Sequence, residues 1–258
     1  MSAPSIAELR ATTQPEWLVG RADAEHWAGR LYMRRVSPYL TRVFLRAGLS
    51  ANAVTALMIP TGLLAALVLS FPGLACAIGA VLLIQLQLLL DCSDGEVARW
   101  RRTFSPLGIY LDQIAHYSTE AALPAALGVR ADGGWDSIGG WTALGLGVSV
   151  LILLLKAETH LVLLARARSG QPVAEEGRAD APVTGSGRFR VRQGPRLLPA
   201  VRPFQAVEAS LLVLAAAVAD VARGDLLGSR VLLAILGCAG LLAVTGHLLA
   251  LITSGRLR

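Results

Sequence analysis

Five stretches of this chain are long and apolar enough to cross a lipid bilayer, which limits its fold more than any other feature of the sequence. A sixth stretch is less apolar because it contains Asp112, Gln113, His116 and Glu120, and we include it because six crossings give a consistent distribution of charge. Its polar face is expected to point into the protein and away from lipid. The six predicted spans cover residues 53–71, 74–90, 107–128, 141–165, 205–222 and 231–252. The expected fold class is an all-α integral membrane protein.

Composition and charge agree with a membrane protein and indicate its orientation. Of 258 residues, 54% are hydrophobic and only 16% are charged, which is too apolar for an ordinary soluble domain. Twenty of the 23 arginines lie before the first span, after the second, between the fourth and fifth, or in the C-terminal tail. By the positive-inside rule both termini are predicted to be cytoplasmic. The net charge of +6 favours anionic headgroups and phosphates as partners, and nothing in the sequence resembles a nucleic-acid-binding module. The heavy use of arginine and alanine suggests a bacterial genome, so the expected location is the bacterial inner (plasma) membrane.

The chain is predicted to form a single membrane domain over residues 24–253, preceded by a polar N-terminal tail, 1–23, that lacks the apolar core of a signal peptide. Residues 24–48 mix apolar side chains with arginines and are expected to form an amphipathic helix at the cytoplasmic interface, kinked or divided at Pro38. Residues 166–202 are rich in Gly, Pro, Ser and Arg and are predicted to be a flexible basic cytoplasmic loop.

A group of acidic residues follows the second span directly. Residues 91–116 read D-C-S-D-G-E-V-A-R-W-R-R-T-F-S-P-L-G-I-Y-L-D-Q-I-A-H. Asp91 and Asp94 are three residues apart, so on a helix they share one face, and two carboxylates that close repel each other unless a cation lies between them. Mg²⁺ or Mn²⁺ prefers such oxygen ligands, and Asp112 near the start of the third span is placed to complete the set. The pattern predicts a metal-dependent membrane enzyme with its active site at the cytoplasmic interface.

The spacing D-x2-D-G-x2-A-R-x8-G-x3-D resembles the CDP-alcohol phosphotransferase family, whose pattern ends in a further Asp. Seven positions of this chain match it: Asp91, Asp94, Gly95, Ala98, Arg99, Gly108 and Asp112. The resemblance implies six spans, a juxtamembrane helix and a homodimer. It also implies transfer of a phospho-alcohol group from a CDP-alcohol donor to a hydroxyl acceptor, with release of CMP, at the surface of membrane lipid.

The resemblance also suggests roles for the matched residues. The three aspartates would hold the metal against the donor's pyrophosphate. Gly95 and Ala98 are small and would let the nucleotide approach the backbone, while Arg99 would bind a phosphate or pair with an aspartate. Gly108 would let the second and third helices come close together. Two further residues, Asn52 and Thr55, are candidates for the nucleotide pocket, although Asn52 is equally explained as part of a helix cap.

His116 replaces the last aspartate of the family pattern, one helical turn beyond Asp112. A neutral imidazole, with an ordinary pKa of about 6.5, accepts a proton at least as well as a carboxylate but is a poorer ligand for Mg²⁺. We therefore expect His116 to be the general base, Asp112 to act beside it, and the second metal site to be weak or absent. The alternative is a buried histidine that is hydrogen-bonded to Asp112.

Several alternatives remain open from the sequence alone. Lys156 is a candidate for binding a substrate phosphate or a member of a structural ion pair, and Arg202 is a weaker substrate candidate. Glu96 belongs to a D-G-E-x-A-R pattern that resembles the branch with di-myo-inositol-phosphate-phosphate synthases, which use CDP-inositol, or it is a solvated residue beside nearby arginines. The donor is then a CDP-diacylglycerol or a soluble CDP-polyol. Two alternatives to an enzyme are a non-catalytic relative that binds nucleotide or lipid, and a small transporter.

Overall fold

A computed structural model describes residues 4–15, 28–170 and 204–253, and every regular element in these ranges is helical. A short π-helical segment, Gly29–Met33, precedes the second helix, and a single 3₁₀ turn lies at Trp135–Ser137. The helices are α1 (Ile6–Thr13), α2 (Arg34–Arg46), α3 (Ala51–Leu69), α4 (Leu74–Arg101), α5 (Pro106–Asp132), α6 (Gly140–Arg168), α7 (Ala206–Arg223) and α8 (Leu227–Thr253).

Four of the described helices, α3, α4, α6 and α8, are long and apolar enough to cross a membrane. Only 22 to 39% of their most apolar stretches is buried within the protein, and Leu82 and Leu242 are among many large side chains left exposed, as lipid-facing residues would be. The other two long helices, α5 and α7, are not among these four. An all-helical membrane fold is therefore supported, while membrane crossing by α5 and α7 stays a prediction.

Helix α4 extends well beyond the predicted end of its span. It continues through the whole D-G-E-V-A-R motif to Arg101, 11 residues beyond residue 90 where the predicted span ends. The helix ends in a Schellman motif in which Thr103 N–H donates to the Ala98 carbonyl and Arg102 N–H donates to the Arg99 carbonyl. Arg102 has a φ of 53°, a left-handed conformation that usually requires glycine, and the absence of a glycine there is why the sequence did not reveal this end.

The chain divides into two compact units, and α3, α4 and α5 each contribute residues to both. The described part of the first unit consists of residues 4–15, 28–62 and Leu83–His116. Its apolar core joins α2, α3, α4 and α5 and comprises Phe44, Ala51, Val54, Met58, Leu90, Val97, Ala98 and Ala115. This unit contains all the motif residues.

Helix α1 lies in the region predicted to be a polar tail. Ser5 and Glu8 form a capping box at its start, since Ser5 Oγ accepts from Glu8 N–H while the Glu8 carboxylate accepts from Ser5 N–H. Leu9 and Thr13 are fully buried. Helix α1 therefore packs as part of the first unit.

Helix α2 runs through Pro38 without being divided. A proline cannot donate a backbone hydrogen bond, so the Arg34 carbonyl one turn earlier lacks its usual helical partner. Gln14 Nε2 supplies one at 2.8 Å, and Arg10 Nη2 donates to the neighbouring Arg35 carbonyl at 3.0 Å. Gln14, just after α1, and Arg10, on α1, thus supply donors to the α2 carbonyls around the hydrogen bond that Pro38 cannot make.

The second unit contains α6, α7, α8 and the remaining parts of α3, α4 and α5. Arg130 is buried and donates to the carbonyls of Phe71 and Gly73 and to Ser229 Oγ. Asp132 ends α5 and accepts from the N–H groups of Gly139 and Thr142, which joins it to the start of α6. Most of the predicted basic loop, including Arg202, lies outside the described residues.

Candidate active site

Asp91, Asp112 and His116 come together in the first unit. Asp91 lies on α4, and the other two lie one turn apart on α5. The His116 Nε2 atom is 3.4 Å from Asp112 Oδ1 and 3.6 Å from Asp91 Oδ1, and one ligand atom from each residue lies within 4.8 Å of the others. Helix α4 and helix α5 are separated by only four residues, and this short connection brings the two acidic segments together.

This cluster fits a divalent cation. Two ligand atoms about 2.1 Å from one metal ion, at an angle between 90° and the tetrahedral value, lie about 3.0 to 3.4 Å apart. The separations around His116 are close to that range and longer than an ordinary N–H···O hydrogen bond. In addition, His116 Nε2 is buried and makes no hydrogen bond. Two carboxylates and an imidazole would thus be suitable ligands if the cation were present.

Asp94 lies outside this three-residue cluster. It is only 8% exposed, and its Oδ2 atom accepts a 2.6 Å hydrogen bond from Thr55 Oγ1 on α3. It lies close enough to Asp91 and Asp112 for their charges to act on it. The candidate cluster comprises Asp91, Asp112 and His116, and the role of Asp94 as a metal ligand stays a prediction. Thr55 orients Asp94 through this hydrogen bond, and its predicted contact with the nucleotide stays a prediction.

Gly108 lets α5 pack closely against another helix, but that helix is α3 and not α4, the predicted partner. A Cβ atom at Gly108 would lie 2.8 Å from Asn52 Oδ1 on α3, so the contact is with the first predicted span and not with the second. Asn52 Oδ1 accepts from Ser105 Oγ at 3.0 Å, and Ser105 Oγ accepts from Gly108 N–H at 3.0 Å. Ser105 caps the start of α5, and Asn52 holds that cap in place.

Gly95, Ala98 and Arg99 lie on the part of α4 that extends beyond the predicted span. Gly95 and Ala98 are buried, and Ala98 packs into the apolar core of the first unit. Arg99 Nε donates a 2.6 Å hydrogen bond to the carbonyl of Thr13 at the end of α1. Their predicted roles in nucleotide binding stay predictions.

Glu96 is completely buried, so its interpretation as a solvated residue was wrong. Its Oε1 atom accepts from Ser37 Oγ at 2.5 Å and from Gln14 Nε2 at 2.8 Å, and its Oε2 atom accepts from Thr41 Oγ1 at 2.6 Å. Arg34 Nη1 lies 3.6 Å from Oε1. We call Glu96, Gln14, Ser37 and Thr41 the Glu96 network. Sequence analysis missed the three partners because none lies near Glu96 in sequence.

Lys156 belongs to the second unit, where it pairs with Glu120 on α5 at 2.9 Å and lies 4.8 Å from the centre of the Tyr117 ring. Glu158, two residues further along α6, accepts a 2.9 Å hydrogen bond from His247 Nδ1 on α8. These charged groups pair among themselves, as expected for ionisable residues in an apolar setting. The structural ion pair considered for Lys156 is therefore present, and a role in substrate binding stays a prediction.

Comparison with known proteins identifies the family. The model of the CDP-alcohol phosphatidyltransferase family matches residues 49–184, just over half of the chain. The chain belongs to this family. The resemblance that was drawn from the motif is thus confirmed, and the matched segment includes all seven motif residues.

One curated protein is similar to this chain over part of its length. It is the bifunctional IPC transferase and DIPP synthase of Aquifex aeolicus (strain VF5), which is 33% identical over 118 residues. The aligned part covers 46% of this chain, and the chain spans about a quarter of the length of that relative. Family and relative together support a transferase of the CDP-alcohol type.

Proposed function

We propose that this protein is a membrane-bound CDP-alcohol phosphotransferase that uses a divalent cation, Mg²⁺ or Mn²⁺. The observation that carries the proposal is the convergence of Asp91, Asp112 and His116 at the family motif, with His116 Nε2 3.4 to 3.6 Å from both carboxylates. The family match supports the donor class, a CDP-alcohol, and the acceptor class, a hydroxyl compound. The apolar helices support lipid as the surroundings of the site.

In the proposed reaction, the acceptor hydroxyl attacks the phosphorus on the alcohol side of the donor's pyrophosphate. A new phosphorus–oxygen bond forms, the bond to CMP breaks, and CMP leaves. The acceptor proton passes to His116, and the Asp112 carboxylate, 3.4 Å from Nε2, would stabilise the positive charge of the resulting imidazolium. A bound cation would neutralise charge on the pyrophosphate oxygens as CMP leaves. Asp94 is held by Thr55 beside this centre, and Arg99 would bind a donor phosphate.

His116 is also close enough to both carboxylates to act as a metal ligand, in which case Asp112 is the better candidate for the proton acceptor. The variant His116→Gln separates the two roles. It keeps a polar group of similar reach but removes the basic nitrogen, so a general base would be lost while metal binding would be weakened only in part. Loss of CMP release with metal affinity retained assigns the base to His116. Loss of both CMP release and metal affinity assigns His116 as a metal ligand.

The donor is proposed to be a soluble CDP-polyol or a CDP-diacylglycerol, and the first receives the more specific support. The D-G-E-V-A-R motif resembles that of the CDP-inositol-using branch, and the curated relative is named as an IPC transferase and DIPP synthase. We further propose a homodimer in the bacterial inner membrane with both termini in the cytoplasm, six spans, and the active site at the cytoplasmic interface. Family resemblance and the placement of the arginines support this arrangement.

The test is a CMP-release assay across several CDP-alcohols and hydroxyl acceptors, with Mg²⁺ or Mn²⁺ and with EDTA. We expect CMP in equal amount to the transferred product for at least one pair, and no release in EDTA or in the Asp112→Asn variant. Asp132→Asn is the matched control, since Asp132 belongs to the turn between α5 and α6. Failure of every pair would favour a non-catalytic nucleotide-binding or lipid-binding member, and metal-independent release would contradict the metal role.

A further inference from the structure

Helix α1 contacts the motif helix α4 at two points one turn apart. Gln14, just after α1, donates to the buried carboxylate of Glu96, and the Thr13 carbonyl accepts from Arg99 Nε at 2.6 Å. Residues three apart on a helix lie on the same face, so both contacts are made by one face of α4. Glu96 and Arg99 lie on the same helix as Asp91 and Asp94, within about two turns of them.

The burial of Glu96 makes this connection costly to break. A buried carboxylate is tolerated only when it is paired and hydrogen-bonded, and removing one partner leaves part of its desolvation cost uncompensated. Glu96 has three hydrogen bonds and a nearby arginine, and its partners come from α2 and from the end of α1. Moving α1 away would therefore disturb the position of α4 at residue 96.

The second contact acts on Arg99. A guanidinium group offers five N–H donors in a rigid planar fork that suits a phosphate. Fixing the Nε donor on the Thr13 carbonyl selects one orientation of that plane. Arg99 is the residue that the proposed function assigns to a donor phosphate, so its orientation determines how well that phosphate is bound.

We propose that α1 and Gln14, acting through Glu96 and Arg99, form a positioning element for the cytidine nucleotide. Gln14 and Glu96 are positioning residues, because they act through Arg99 and the α4 backbone and have no proposed contact with substrate. This inference rests on the proposed function, because it assumes that the motif helix binds the phosphates of a CDP-alcohol. It assigns a role to a segment outside the part of the chain that the family model matches.

The first test measures the binding of CMP, the product common to all donors, in the presence of Mn²⁺. In Gln14→Glu a carboxylate replaces the amide that donates to Glu96, and the two carboxylates repel each other. We expect the dissociation constant for CMP to rise about tenfold, within the usual range of coupling between sites. The donor KM should rise in parallel while kcat changes little, a division that general destabilisation would not produce.

Two further variants provide the controls. Glu96→Gln combined with Gln14→Glu removes the repulsion between the two carboxylates and should recover part of the lost affinity, since the hydrogen bond from residue 14 to the Arg34 carbonyl stays lost. Arg10→Ala removes a contact of α1 with the α2 backbone without touching α4, and should leave CMP affinity almost unchanged. If Gln14→Glu binds CMP as tightly as the wild type, or if Arg10→Ala weakens binding as much, the inference is overturned.

A second measurement needs no variant. Coupling between two sites is reciprocal, so if docking of α1 strengthens CMP binding, CMP must strengthen the docking of α1. Hydrogen–deuterium exchange of the wild-type protein should slow at residues 6–14 when CMP and Mn²⁺ are added. Bound CMP without this protection would overturn the inference alone, whereas a wild-type protein that binds no CMP would overturn the proposed function and the inference with it.

Discussion

Replacing His116 with aspartate restores the family pattern and should make the stability of the protein strongly dependent on metal. The imidazole Nε2 atom lies between Asp112 and Asp91, so a carboxylate at this position would face two others. At a separation of roughly 5 Å and an effective dielectric constant of about 20, each pair of carboxylates repels by about 3 kcal/mol. Side-chain movement and proton uptake reduce this sum of about 6 kcal/mol, leaving a net loss of about 2–3 kcal/mol without metal.

The assay is thermal unfolding of the purified protein in detergent with EDTA, Mg²⁺ or Mn²⁺. In EDTA we expect the melting temperature of His116→Asp to fall by about 5–10 °C, since each kcal/mol shifts a domain of this size by about 2–4 °C. Mg²⁺ should restore most of this loss and should stabilise the variant more than the wild type. His116→Asn adds no charge and is the matched control. Equal stability of His116→Asp and the wild type in EDTA, with equal responses to Mg²⁺, would refute the reasoning that residue 116 faces both aspartates.

Four other changes test separate contacts. Thr55→Val removes the donor to buried Asp94 and should lower the free energy of unfolding by about 1–3 kcal/mol in denaturant titration, whereas Thr55→Ser should keep it. Gly108→Ala places a Cβ against Asn52 and should cost about 1–3 kcal/mol, and the added variant Asn52→Ala should relieve that cost. Lys156→Met leaves Glu120 unpaired and should cost about 3–5 kcal/mol, with partial recovery in the double variant with Glu120→Gln. Burial alone would raise the pKa of Asp132, but hydrogen bonds from Thr142, Gly139 and Trp141 hold that pKa below its usual value. Asp132 should therefore stabilise the fold above its ordinary pKa and lose this effect as pH falls through the lowered one, a dependence that melting curves of Asp132→Asn should lack.

The family, the helical fold and the main acidic cluster could be predicted from the sequence because their signals are local. Apolar runs fix the long helices, and Asp91, Gly95 and Asp112 have a spacing that the family shares. The end of α4 was not predictable in this way, because Arg102 adopts a left-handed conformation without glycine to indicate it. The extension of α4 through the motif, beyond the predicted end of the span, was therefore not predicted.

Contacts between distant segments account for the other differences. Glu96 was considered solvated because arginines adjoin it in sequence, but its partners come from residues 14, 37 and 41. Asp94 is hydrogen-bonded to Thr55, and the candidate metal cluster consists of Asp91, Asp112 and His116. The start of α1 did have a local signal, the S-x-x-E capping box at Ser5 and Glu8, which could have identified a helix within the predicted tail.

Electron paramagnetic resonance of Mn²⁺ added to the purified protein, with and without CMP, tests the metal centre most directly. We predict that the protein binds Mn²⁺ and that CMP tightens the binding. Nitrogen coupling that disappears in His116→Asp would assign His116 as a metal ligand, whereas no such coupling is expected if His116 is the general base. Asp112→Asn should weaken the binding, and Asp132→Asn should leave it unchanged. A wild-type spectrum of free Mn²⁺ only, even with CMP at saturating concentration, would contradict the assignment of Asp91, Asp112 and His116 as the site of catalysis.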